Sequence, residues 1–224
     1  MSVGRRRLLA ALALPWFAPL ARADAYAEFF RAIALDDGRA VADLLRRGFD
    51  PNARDAHRQP ALIVALHEDS RQAAQALLAS AELRVEERNA KDESALMMAA
   101  LSGNLQAART LIARDADVNK TGWTPLHYAA SSSAPEAVDM VRLLLEHAAY
   151  IDAASPNGTT PVMMAARYGQ IDVARLLLQE GADPALRNQQ GLTAIDFARQ
   201  AGRDGLVQDI LAAVRRSRAS GGKW

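Results

Sequence analysis

Between about residues 25 and 214 the chain alternates two kinds of short apolar stretch. One kind is lean and alanine-rich: Ala95-Leu96-Met97-Met98-Ala99-Ala100, Leu126-His127-Tyr128-Ala129-Ala130, Val162-Met163-Met164-Ala165-Ala166 and Ala194-Ile195-Asp196-Phe197-Ala198, with a worn copy at Ala61-Leu62-Ile63-Val64-Ala65. The other kind is heavy in leucine: Val41-Ala42-Asp43-Leu44-Leu45, Ala74-Gln75-Ala76-Leu77-Leu78, Ala108-Arg109-Thr110-Leu111-Ile112, Val141-Arg142-Leu143-Leu144-Leu145 and Ala174-Arg175-Leu176-Leu177-Leu178. Stretches this short, bounded by turn formers such as Gly48 and Gly181, predict pairs of short helices. Four of the five lean stretches follow a hydroxyl residue, and Ser94, Thr124, Thr160 and Thr193 are separated by 30, 36 and 33 residues. A fixed period of this length predicts a solenoid, in which a unit buries its apolar face only by stacking on its neighbours.

Elementary chemistry accounts for the letters. Thr124 suits a helix N-cap and Pro125 the first helical position, which has no use for a backbone donor. Asp196 stands three residues after Thr193, near the positive end of that helix. The alanines keep the first helix of each pair thin, so that layers approach closely. The leucine pairs of the second helix supply bulk, and Leu144 in the centre of its triplet is expected in the core.

The run Gly122-Trp123-Thr124-Pro125-Leu126-His127-Tyr128-Ala129-Ala130, and its copies every 33 residues on average, closely resemble the ankyrin-repeat family over residues 25–214. The resemblance implies an all-α solenoid of about six stacked helix-turn-helix units carrying short β-hairpin fingers. Its end units fall at residues 25–54 and 188–214. It also implies a non-catalytic protein that binds a partner protein on its concave face and works as a monomer. Exported bacterial proteins of this kind include some associated with periplasmic catalase and others that neutralise toxic effectors, so either role is an expectation. The family's variable positions fall here on Trp123, Tyr128, Arg167, Tyr168, His57, His67, Lys91, Glu93 and Arg199, and also on Leu101, Ser132, Thr159 and Gln200. Trp123, Tyr168 and Arg167 stand out, because aromatic and arginine side chains dominate interface energetics. Trp123 has a second reading, as a local core residue folded over its own finger.

Two departures from the repeat matter. The linker from Val118 to Thr124 is three residues shorter than that from Ile151 to Thr160, which predicts a blunted finger around Lys120-Thr121-Gly122. The fourth unit regains three residues near Ser131-Ser132-Ser133-Ala134-Pro135, as a longer loop that is either a binding feature or neutral drift.

The first 23 residues read as an address. Arg5-Arg6-Arg7 precede the apolar run Leu8–Leu20, and Ala21-Arg22-Ala23 is a small-x-small cleavage signature. The run contains Pro15 and Pro19 and is shorter than the ~20 residues a membrane span needs. Cleavage is expected after Ala23, releasing a periplasmic or secreted chain that inserts in no membrane. The arginine pair fits either a twin-arginine or an ordinary secretory signal. The domain organisation is then a signal peptide at 1–23, the repeats at 24–214 and an irregular basic tail at 215–224.

Charge changes the picture once that segment is set aside. Arg5, Arg6, Arg7, Arg22 and the tail's Arg215, Arg216, Arg218 and Lys223 account for eight of the 27 basic residues and none of the 26 acidic ones. The repeats therefore carry 19 bases against 26 acids, which disfavours nucleic acid as a partner. With no cysteine there are no disulfides and no thiolate chemistry. His57, His67 and His147 fall on different units without metal-ligand spacing, and His127 is explained by the repeat motif as a hydrogen-bonding residue between units. The methionine pairs Met97-Met98 and Met163-Met164 read as core packing or as a soft contact surface. No cofactor is expected. A carrier of a small ligand or haem, supporting an enzyme such as catalase, is the alternative, with His57 and His67 as the axial candidates.

Overall fold

The computed structural model describes the backbone of residues 18–219 and the side chains of Asp24 to Arg216. Twelve helices follow one another: α1 (Ala18–Ala34), α2 (Gly38–Arg46), α3 (Ala61–His67), α4 (Arg71–Leu78), α5 (Ala95–Ser102), α6 (Leu105–Ala113), α7 (Pro125–Ser131), α8 (Ala137–Glu146), α9 (Pro161–Arg167), α10 (Ile171–Gln179), α11 (Ala194–Gln200) and α12 (Asp204–Ala219). They form six pairs. The odd-numbered helices pack in one layer and the even-numbered in a second, each helix against its counterpart in the next pair. This is the all-helical stack that the periodicity predicts.

The alanines do what their size allows. Ala99, Ala100, Ala129, Ala130, Ala165 and Ala166 have no exposed surface, and α5, α7, α9 and α11 approach one another more closely than α6, α8, α10 and α12 do. That difference curves the stack toward the first-helix side. The leucines of the outer layer, Leu77, Leu111, Leu144 and Leu177, are wholly buried between the layers. Close approach also dictates a glycine: a Cβ on Gly169 would lie 2.0 Å from the carbonyl oxygen of Ala130. Gly181 is needed for a different reason, since it ends its helix at φ +100°.

The fingers are shorter on structure than the expected β-hairpins. Among the described residues they hold two isolated bridges, Arg54 with Pro60 and Arg88 with Ser94. The fifth and sixth close with turn bonds alone, Ser155 N–H to Thr159 O and Asn188 N–H to Leu192 O, both 3.0 Å, each backed by a tighter bond, Gly158 N–H to Ser155 O and Gly191 N–H to Asn188 O, both 2.8 Å. Loops of this length lack the residues to pair as strands.

A column of side chains ties the finger bases together. Asn52 Oδ1 accepts the Arg84 amide, Glu86 Oε1 the Asp117 amide, and Asn119 Oδ1 the Tyr150 amide, each at 2.8 Å. Asp152 Oδ1 accepts the Asp183 amide at 3.0 Å. In the blunted fourth finger a side chain takes the place of the missing backbone. Lys120 folds inward with its chain 5% exposed, pairs with Asp92 of the preceding finger and donates to Thr121 O at 3.1 Å.

The two ends are separate cases. The address segment lies outside the described residues except for its last six, which begin α1; that helix runs across the Ala23–Asp24 junction. The tail expected to be irregular from residue 215 is corrected in part, because α12 continues through Arg215 to Ala219. The physical reason is that Arg-Arg-Ser-Arg-Ala contains no helix breaker, and the first glycine comes only at Gly221. No described helix is long and apolar enough to cross a membrane.

Candidate binding surface

Each first helix buries most of its length and leaves one stripe open. Counting from the cap residue, the fourth, seventh and eighth positions are the less buried ones, a spacing that puts them on one helix face. The fourth positions are Val64, Met98, Tyr128, Met164 and Phe197, of which Val64, Tyr128 and Met164 are half-buried. The seventh are His67, Leu101, Ser131, Arg167 and Gln200, with His67, Leu101, Arg167 and Gln200 exposed. The residue before the cap adds Gln59, Glu93, Trp123 and Leu192, all half-buried. Stacking turns these rows into one surface with an apolar and aromatic centre and polar margins.

Trp123, Tyr128, Glu93, Arg167 and Tyr168 fall on this surface. Tyr128 and Glu93 engage each other, the phenol donating to Glu93 Oε1 at 2.8 Å across two repeats. Burial first, and the Glu93 carboxylate second, raise the Tyr128 phenol above its ordinary range, so it stays protonated and keeps that bond. Trp123 is half-buried, its ring 5.2 Å from that of His127 in an edge-on arrangement. It is therefore anchored in its own repeat while part of the indole remains open. Tyr168 is 54% exposed, and the Arg167 guanidinium lies 5.2 Å from its ring centre while donating to Gln200 Oε1 at 2.6 Å. The arginine is thus held in place from two sides.

The remaining expected residues extend this surface or leave it. His67 continues the seventh-position row at the end of α3, and His57 and Lys91 are exposed at the tips of the second and third fingers. Arg199 is corrected: it stands six residues after Thr193 and so corresponds to Ala166, which is wholly buried against the next repeat. Among the described residues no further repeat covers it, and Arg199 instead lines a shallow cleft on the end face with Arg187, Ile195, Asp196 and Val214. Ser132 and Thr159 are also corrected, being buried at 1% and 2% exposure. The added loop explains Ser132, whose hydroxyl donates to Leu101 O at 2.6 Å, while Gln170 Nε2 donates to Ala134 O. The insertion is packed against both neighbouring repeats.

Met164 is the surface residue that the sequence reading underweighted. Met97, Met98 and Met163 are core, but Met164 shares the fourth position with Tyr128, and that register was the available signal.

His127 is wholly buried, accepts the Thr124 amide at Nδ1 (3.2 Å) and faces Thr159 O with Nε2 (2.9 Å), a structural role between repeats. No cluster of three or more metal-capable side chains occurs among the described residues. His57 and His67 are open to solvent on a finger tip and a helix end, so the arrangement lends the haem-carrier reading no support.

The fold, repeat period and packing define a solenoid of the ankyrin class. The chain matches the family described as Ankyrin repeats (3 copies) over residues 29–121, 81–155, 116–188 and 139–215, and it belongs to that family. It is 33% identical over 185 residues to the B-cell lymphoma 3 protein homolog of Mus musculus, covering 80% of this chain and 40% of that protein. It is 32% identical over 172 residues to the Nuclear factor NF-kappa-B p105 subunit of Gallus gallus, covering 74% of this chain and 17% of that one. The chain thus spans less than half the length of these relatives. Among solved structures it is similar to an ankyrin repeat domain from Acinetobacter baumannii, with a TM-score of 0.67 and 27% identity over 83% of this chain and 96% of the other. Repeats of this family generally serve as non-catalytic protein-interaction modules.

Proposed function

We propose that this chain is a non-catalytic, exported binding module that holds a partner protein on its first-helix face in the periplasm. The observation that carries the reading is the half-open row Trp123, Tyr128 and Met164, bordered by exposed Leu101, Arg167 and Tyr168, on a stack whose other apolar residues are largely consumed by packing. Such a row offers rigid aromatic anchors with a polar rim, the composition of binding hot spots. Export rests on the arginine cluster, apolar run and Ala21-Arg22-Ala23 of the sequence. In that compartment the module would support an enzyme or neutralise a toxic effector.

A photo-crosslinking amino acid at Leu101 or Tyr168, and in parallel at Arg109 or Arg142 on the second-helix side, tests the surface. The expected result is a partner captured from the first pair of positions; capture from the second pair alone refutes it. N-terminal sequencing of the fractionated protein tests export. A periplasmic chain starting at Asp24 is expected, and intact protein confined to the cytoplasm refutes it.

A further inference from the structure

Charge is unevenly placed on the first-helix face, and the asymmetry bears on what the surface holds. The repeats carry 26 acidic and 19 basic side chains, so the body as a whole is acidic. The N-terminal part of the face carries acids: Glu68 and Asp69 follow His67, and Asp92 and Glu93 follow Lys91. The C-terminal part does not. Along α7, α9, α11 and their fingers the open positions are Ser131, Asn157, Met164, Arg167, Tyr168, Gln189 and Gln200. The acids of these repeats are on the opposite side or are engaged. Asp139, Glu146, Asp172, Asp204 and Asp209 belong to α8, α10 and α12. Asp152 is bonded to the Asp183 amide, and Asp196 accepts both the amide and the hydroxyl of Thr193, at 2.8 and 2.7 Å.

One arginine stands in this carboxylate-free stretch, and a second borders it from the end face. Arg167 uses one N–H on Gln200 and is steadied by the Tyr168 ring, leaving its other donors open. Arg199 is adjacent to Gln200 in the chain, its side chain is 61% exposed, and its nearest acid is Asp196 at 4.0 Å. A guanidinium fork matches a carboxylate in shape, and the exposed Tyr168 ring beside it offers a flat apolar platform. Two forks and one ring are too few to neutralise the run of phosphates that gives nucleic-acid binding its affinity, and the acidic body opposes a polyanion at longer range.

We propose that the C-terminal half of the first-helix face, with Arg167 and Tyr168, receives an acidic protein segment that runs on over the end of the stack to Arg199, with carboxylates on the two arginines and an apolar or aromatic side chain over Tyr168. The assignment rests on the binding reading above and narrows the partner to a segment in which Asp or Glu alternates with apolar residues.

Fluorescence anisotropy of a labelled 4:1 glutamate–tyrosine copolymer against the purified chain at low salt tests it, with a 4:1 lysine–tyrosine copolymer and a single-stranded oligonucleotide beside it. The acidic copolymer should bind and weaken as salt rises. Arg167→Gln, Arg199→Gln and Tyr168→Ala should each weaken it by about tenfold, a loss of ~1.4 kcal/mol. Arg142→Gln on the second-helix side should stay within about twofold of the parent, well inside that tenfold window. No binding of the acidic copolymer, tighter binding of either control, or an equal loss in Arg142→Gln overturns the proposal. A partner captured at Leu101 whose contacting segment lacks carboxylates also overturns it, while leaving the broader binding reading standing. Capture from Arg142 alone overturns both.

Discussion

The Nε2 of His127 in α7 lies 2.9 Å from the carbonyl oxygen of Thr159 in the following repeat, while its Nδ1 accepts the Thr124 amide. A ring nitrogen that accepts from an N–H carries no proton, so Nε2 holds the only one and donates it to Thr159. Protonation would break the Thr124 bond and place a charge where there is no water. Burial accordingly lowers the His127 pKa below its ordinary 6.5, against the raising effect of the Thr159 carbonyl.

The sign of the pH effect follows. The unfolded chain takes up the proton below 6.5 while the folded one resists, so the His127 contribution is complete above that pH and is lost as pH falls through it. Urea unfolding at pH 7.5 and pH 5 should show weaker stability at the lower pH. His127→Gln, which retains a donor for Thr159, should be less stable at pH 7.5 but lose less on acidification. An equal loss in both proteins would show that His127 is not the group responsible.

Met163 occupies the same slot two helices on and fills it less well. Its Sδ accepts the Thr160 amide at 3.4 Å, as His127 does for Thr124, yet the buried Thr160 hydroxyl has no partner. The Thr124 hydroxyl, by contrast, is 2.9 Å from His127 Nδ1, and Asp196 serves Thr193 at 2.7 Å. Met163→His should supply the missing acceptor and a donor toward Leu192 O, stabilising the fold by about 1 kcal/mol at pH 7.5. Denaturant titration measures it; destabilisation would show that the slot is too tight for the ring.

Asp152 is a second position where a chemically close neighbour does better. Asn119 in the preceding repeat accepts the Tyr150 amide and also donates to Ala148 O, both at 2.8 Å. Asp152 accepts the Asp183 amide but has no donor for the corresponding carbonyl, that of Gly181. Burial raises its pKa above the ordinary 3.8, with the Asp183 charge adding to the effect. A raised carboxylate costs stability when ionised, and the cost appears as pH rises through the folded-state pKa. Asp152→Asn should therefore gain about 0.5–1.5 kcal/mol at pH 7. The gain should shrink as pH approaches 4, and a gain independent of pH would refute the electrostatic account.

How much of this was legible in the sequence depended on whether a residue acts within its repeat or between repeats. Helix pairing, the caps at Thr124 and Thr193, the core role of Leu144 and the blunted fourth finger follow from local pattern and spacing. The fate of Ser132 did not, because its burial depends on how the added loop folds onto Leu101 of the preceding repeat. Arg199 was misplaced for a simpler reason. Its register matches a buried alanine, but among the described residues nothing packs over that side of the sixth repeat, so only the position in the stack reveals it as an end-face residue. Lys120 was visible as part of a short finger. That its side chain would replace missing backbone and reach Asp92 requires the preceding finger in three dimensions.

Trp123 and Tyr168 separate stability from binding on the same surface. Trp123 is half-buried with its ring edge-on to His127, so removing it strips contacts from the repeat's own packing. Trp123→Ala should lower stability by about 1–3 kcal/mol and weaken partner binding as well. Tyr168 is more than half exposed, with the Arg167 guanidinium 5.2 Å from its ring centre. Tyr168→Ala should change stability by less than about 0.5 kcal/mol and weaken binding by about 2 kcal/mol or more. Thermal melts and a titration of the captured partner on both variants, with Arg109→Ala as the second-helix control, decide it. Early melting with unchanged binding in Trp123→Ala would assign the indole to the fold alone. Unchanged binding in Tyr168→Ala would remove the C-terminal half of the face from the interface, because no other exposed aromatic side chain stands beside Arg167 among the described residues.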